Sequence, residues 1–137
     1  MRALAVDLAA LGDVEPLWQD WLADARRRLR VNVEALDDEL PNWGRLLERF
    51  AEERAPVYFR RDAEVSGALR RFESAGVRVV VFTDAPPELA RVALSHLGAT
   101  RRVDSLEAGP GARARALERL GPGVPVVSTR AELLAVT

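Results

Sequence analysis

An α/β fold is what this sequence predicts: a short parallel sheet flanked by helices, with a small all-helical insertion. Three observations predict it. From Asp62 onward helical and strand patterns alternate, the signature of parallel strands joined by crossover helices. Two apolar runs, Ala3–Val6 and Val77–Phe82, end on polar residues, Asp7 and Thr83-Asp84. Between them, the stretch from Glu15 to about Ala55 reads as helix alone and interrupts the alternation.

Taken in order, Ala3–Val6 is a short buried strand. Asp13 caps a helix opening at Glu15-Pro16, where proline is tolerated in the first turn. Leu17, Trp18, Trp21, Leu22, Ala25 and Leu29 recur at helical spacing, and Arg26, Arg27, Arg28 and Arg30 crowd the end, where cations suit the helix dipole. A polar stretch with Asp37, Asp38 and Glu39 follows. Pro41-Asn42 then opens a second helix bearing Trp43, Leu46, Leu47 and Phe50, and Pro56 is expected to end it. Asp62 caps a third helix with Val65, Leu69 and Phe72 on one face, stopped by Gly76.

Val77–Phe82 is the clearest strand, with five apolar residues in six between Gly76 and the Asp84-Ala-Pro-Pro turn. Pro87–Leu97 is a helix closed by Gly98, Val103–Leu106 a weak strand, and Gly111–Leu120 a helix ending at Gly121-Pro-Gly. Val124–Val127 is the last strand and Arg130–Ala135 a short final helix.

Composition narrows the function. The 137 residues suffice for one domain with a core and a small helical lobe, and 48% hydrophobic with 30% charged residues is the balance of a soluble globular chain. A net charge of -1 gives no bulk electrostatic case for nucleic acid or an anionic membrane. All 20 basic residues are arginine, so chemistry that needs a lysine ammonium is excluded. Without cysteine there is no disulfide, thiol nucleophile or zinc–thiolate site, and the single His96 cannot build a multi-histidine metal site. Neither a signal pattern nor a long apolar run is present, so a cytoplasmic location is expected.

The candidate site residues come from strand ends. Asp7, Thr83-Asp84 and Ser128-Thr129 each follow a strand, and in a parallel sheet these ends share the edge where ligands bind. Each also has a plain structural reading. Asp7 can cap backbone N–H groups after its strand, Thr83 can cap the Pro86 turn, and Asp84 suits a turn. Glu132 suits the dipole of a helix first turn, and Arg113 a solvated helix face. His96 reads as structural. Trp18, Trp21 and Trp43, the chain's three tryptophans, all lie in the insertion. They either pack its helices together or leave one or two rings exposed as a dimer or partner surface.

The order of these blocks resembles the haloacid dehalogenase-like superfamily, whose members are mostly phosphatases. The resemblance rests on Val6-Asp7, the helical insertion, the Asp62–Gly76 helix, Val79-Val-Val-Phe-Thr83-Asp84, and Pro125-Val-Val-Ser-Thr-Arg-Ala-Glu-Leu133. It implies a Rossmann-like core of residues 1–12 and 57–137 and a helical cap of residues 13–56. It also implies roles: Asp7 as nucleophile forming an aspartyl-phosphate, and an acid two residues later as general acid and base. Thr83 would orient the phosphoryl group, a lysine would neutralise its charge, and acids at the last strand would hold Mg2+. Here Ala9 stands at the acid's position, Ala10-Leu11 replaces a Gly-Thr turn, and Ser128 replaces the main magnesium carboxylate. Arg113 is the nearest substitute for the lysine, and Glu132 keeps an acid for a metal shared with Asp7.

The dehalogenases of the superfamily also lack the second acid, but they need a lysine and an asparagine that this chain does not have. The resemblance thus implies a degenerate phosphatase-like protein with little or no hydrolase activity and no cofactor. It would be retained to bind an anion or phosphorylated ligand around Thr83, Asp84, Ser128 and Thr129, or a protein through the tryptophans. The alternatives are a weak Mg2+-dependent hydrolase of a small phosphorylated metabolite, acting through Asp7, and a structural subunit with a vestigial pocket.

Overall fold

The computed structural model describes residues 1–136. Four strands, β1 (Ala3–Asp7), β2 (Arg78–Thr83), β3 (Ser105–Ala108) and β4 (Val126–Val127), form one all-parallel sheet in the order β3-β2-β1-β4. The α/β architecture expected from the alternation is therefore what the chain adopts. Register is set by apolar alternation: Ala5 lies opposite Val80 and Val6 opposite Val81. Leu4, Val6, Val79 and Val81 enter the main core, whereas Ala5, Val80 and Phe82 pack with Ala112 and Ala116 on the other face.

Seven helices surround the sheet: α1 (Glu15–Asp24), α2 (Leu36–Glu39), α3 (Trp43–Tyr58), α4 (Ala63–Ser74), α5 (Pro87–His96), α6 (Ala112–Leu120) and α7 (Arg130–Ala135). Asp62 caps α4 as expected, accepting from Glu64 N at 3.0 Å and Val65 N at 3.3 Å. Arg130 binds the same carboxylate at 2.6 Å and holds it below the usual aspartate range. Both α4 and α5 close with a glycine in the left-handed region, Gly76 and Gly98. After each, an N–H reaches back to the third-last helical carbonyl: Val77 to Phe72 at 2.8 Å, and Ala99 to Leu94 at 3.0 Å.

Four local expectations need correction. The helix from Trp43 does not end at Pro56 but runs to Tyr58. Pro56 forgoes only the hydrogen bond to the Glu52 carbonyl, a tolerable loss in a last turn held by the buried Ala55 and Phe59. The third strand lies at Ser105–Ala108, two residues beyond the expected span, because Asp104 is fastened to Val79 by both its N–H and its carboxylate and delays the ladder. The polar stretch forms the short helix α2. Finally, α1 stops at Asp24 and continues as a wider π-turn, Ala25–Leu29, closed by Arg30 at φ 55°.

The insertion is not held at arm's length. Its helix α3 lies along α5, with Leu47, Ala51 and Ala55 fully buried at four-residue spacing. Two of these three positions are alanine, and α5 likewise buries Ala90 and Ala93, small side chains that permit close helix approach. Trp21, Leu47 and Ala51 belong to the same apolar cluster as Leu4 and Val6 of the sheet. Tyr58 at the end of α3 donates to Asp20 of α1, and that hydrogen bond raises the phenol's pKa. No helix among the described residues is long and apolar enough to cross a membrane.

Candidate ligand site at the strand ends

A cavity of about 930 Å3 opens over the C-terminal ends of β1, β2 and β3. Its floor is the sheet edge. Asp7 closes β1, Thr83 and Asp84 follow β2, Gly109-Pro110 follows β3, and Arg113 projects from the first turn of α6. Four predicted site residues, Asp7, Thr83, Asp84 and Arg113, are thus brought together by parallel strands of matched register.

Asp7 and Thr83 each have a local hydrogen-bond partner. Asp7 Oδ1 accepts from Ala9 N at 3.0 Å and caps the short 3-10 turn Leu8–Ala10. Thr83, only 9% exposed, accepts from Ala85 N at 3.2 Å through Oγ1. Gly109 N donates to the carbonyls of Thr83 and Ala85 at 3.0 and 2.9 Å, which binds the two loops of the floor. The second loop is clamped by Arg115, whose guanidinium reaches the Pro110 carbonyl at 2.6 Å, the Ala108 carbonyl at 2.7 Å and Glu107 at 3.4 Å. Arg113, two residues earlier and exposed on α6, lies over the Phe82 ring, 5.9 Å from its centroid.

The residues predicted from the last strand do not line this cavity. Thr129 caps α7, accepting from Glu132 N at 3.1 Å, and Glu132 accepts from Ser128 N at 3.1 Å. That reciprocal pair is a capping arrangement and occupies Ser128, Thr129 and Glu132 with the start of a helix. Asp7 and Glu132 are not joined by a third ligand: among the described residues no group of three His, Cys, Asp or Glu side chains is placed to hold a metal.

The opposite wall comes from the insertion and was not foreseen. Glu15 and Trp18 of α1, Leu36 and Asp37 of α2, and Trp43 of α3 face the floor, with Glu88 of α5 beside them. Of the two readings open for the tryptophans, the three rings pack together in a closed triangle. Trp18 and Trp21 stack at 5.7 Å, and each lies 6.0 Å from Trp43. Trp21 is buried, and the other two are half-buried as cavity wall. Trp43 Nε1 donates to Asp37 at 2.8 Å, and Gln19 Nε2 to Glu15 at 2.7 Å. The Glu88 carboxylate fills the space where a Cβ at Gly44 would stand, in the first turn of α3, where the helix dipole favours an acid. The clustering of every tryptophan in the insertion was the one sequence signal for this wall.

Fold and site together define an α/β protein that gathers polar groups at the carboxyl edge of a parallel sheet, beneath a helical insertion. No protein-family model matches the chain, and no curated protein matches it. Among solved structures, the crystal structure of a "putative beta-phosphoglucomutase" from Thermotoga maritima is similar to it. The two are 24% identical with a TM-score of 0.58, over 93% of this chain and 75% of that one. The likeness establishes the fold.

Proposed function

We propose that this chain is a phosphatase-related protein of the haloacid dehalogenase-like superfamily. Its hydrolytic machinery is degenerate, and its cavity is kept for binding a small ligand. The fold likeness to a protein named as a phosphoglucomutase supports the ancestry. The observation that carries the reading is at Asp7 and Ala9. The residue that would protonate the leaving group is a methyl side chain, and its backbone N–H is spent on the carboxylate that would attack phosphorus. Loss of a general acid and base costs roughly 10²–10⁴-fold in rate. The missing lysine and the capping role of Glu132 remove charge stabilisation on top of that. Binding in the cavity is favoured over docking of a protein on the tryptophans, because Trp18 and Trp43 are turned into its wall.

The test is hydrolysis of a panel of small phosphate esters, with and without Mg2+, comparing the wild type with Asp7→Asn. The expected result is no metal-dependent turnover above that of the variant. Turnover that needs Mg2+ and disappears in Asp7→Asn would instead establish an aspartyl-phosphate hydrolase.

A further inference from the structure

We infer that the amino-terminal edge of the sheet is an interaction surface for an acidic peptide segment of another protein. This edge lies at the opposite end of the strands from the cavity and is independent of what the cavity binds. Arg2 precedes β1, Arg78 opens β2, and Arg101 and Arg102 lie in the turn before β3. The Arg2 carbonyl accepts from Arg78 N at 2.8 Å, which sets those two residues side by side. Arg70 and Arg71 add two guanidiniums from the second half of α4, the helix that leads into β2. Arg2, Arg70, Arg71, Arg78 and Arg101 are all exposed, and none takes part in an ion pair among the described residues. The carboxylates beside them are engaged: Glu73 pairs with Arg102 at 3.2 Å, and Asp104 accepts from Val79 N at 2.7 Å. In a chain of net charge -1 this is a local surplus of positive charge, and such a surface concentrates anions.

The shape of the edge adds to its charge. A shallow cleft of about 580 Å3 on α4 is lined by Gly67, Arg70, Arg71 and Ser74 and holds no carboxylate among the described residues. Side chains three and four positions after a helical residue lean back over it. Here both guanidiniums turn to one point: a Cβ at Gly67 would lie 3.9 Å from Arg70 Nη2 and 3.7 Å from Arg71 Nη1. Two like charges aimed at one point repel until an anion sits between them. Helix propensity alone would favour alanine at Gly67 by about 1 kcal/mol, and the glycine leaves that seat open. A second cleft, of about 430 Å3, holds Arg78, Arg101 and Arg102. The two clefts adjoin at Ala75 and Gly76, which line one each. Two seats in a row suit successive carboxylates, each taken by a guanidinium fork. No aromatic side chain among the described residues lines either cleft, so nucleic-acid bases would find no stacking platform. Glu73 and Asp104 in the second cleft suit peptide N–H donors and repel a phosphate backbone.

The experiment titrates the full chain into a fluorescein-labelled hexaglutamate peptide and follows anisotropy, with a labelled single-stranded hexathymidylate as the opposing probe. Saturable peptide binding that weakens as salt is raised is expected. The double variants Arg70→Gln with Arg71→Gln, and Arg78→Gln with Arg101→Gln, should each weaken it on the order of three- to tenfold, the range of two exposed charge pairs. Arg45→Gln with Arg49→Gln removes the same charge from exposed positions of α3 and should leave the affinity within about twofold. All six arginines are exposed, so the variants keep the fold, and the urea midpoint of each checks this. Three results would overturn the inference: no saturable peptide binding, no greater loss in either edge variant than in the α3 variant, or tighter binding of the oligonucleotide than of the peptide.

Discussion

Truncating Leu47 asks whether the insertion and the sheet are one cooperative body. Leu47 is fully buried in α3, within the apolar cluster that also holds Leu4 and Val6. Leu47→Ala removes the side chain beyond Cβ, about 2.4 kcal/mol at ~0.8 kcal/mol per carbon. The cavity left behind adds to this, because helices packed through alanines cannot collapse far into the gap, and the total is about 3 kcal/mol. With a urea m-value of ~2 kcal/mol per molar, the midpoint falls by about 1.5 M. A stability of ~5–15 kcal/mol leaves the variant folded in water. All three tryptophans lie in the insertion, so their emission reports its unfolding while far-UV circular dichroism reports the whole chain. The two transitions should coincide in wild type and variant, with unchanged m. An emission transition that precedes the dichroism transition, or a midpoint loss below ~0.3 M, would refute the shared core.

Two further outcomes follow from local geometry. Asp62→Ala removes the α4 cap and the Arg130 ion pair, and should cost about 1 kcal/mol at neutral pH by urea unfolding. Because the folded pKa of Asp62 is lowered from 3.8, this stabilisation is full above that value and is lost as pH falls through the folded pKa. The gap between wild type and variant should therefore close in acid, and a gap that widens would contradict the pairing. Gly109→Ala meets no atom within 4 Å of the added Cβ, so its cost comes only from the φ of +90° and should be about 1–2 kcal/mol. No measurable loss would show that the loop after β3 relaxes freely.

Much of the core was legible because local pattern and tertiary role agree there. Val79–Phe82 is apolar at every position and lies at the centre of the sheet, and Asp62, Gly76 and Gly98 punctuate the helices that their chemistry predicts. The start of β3 was not legible, since Asp104 holds Val79 from 25 positions away and no local pattern records that bond. The floor of the site followed from strand ends, but the membership of Ser128, Thr129 and Glu132 did not. Whether a carboxylate on a helix first turn faces a ligand or its own N-cap depends on a rotamer, and here Glu132 turns back to Ser128. The wall was hidden for a different reason. Glu88 and Gly44 meet only because α3 lies on α5, and their separation in sequence carries no trace of it. A tryptophan set that could pack a lobe or face outward lines an inner wall once the lobe is laid on the core.

That same contact bears on how a ligand would enter and leave. An enzyme lid closes over its substrate to strip away water and reopens to release product. Here the wall cannot swing without separating Leu47, Ala51 and Ala55 from α5, a cost that belongs to unfolding rather than to turnover. The cavity keeps one shape and one standing mouth. A ligand would enter and depart by the same route. Such a chamber suits reversible capture at a rate set by passage through its opening, and association should rise linearly with ligand concentration, without a slower closing phase.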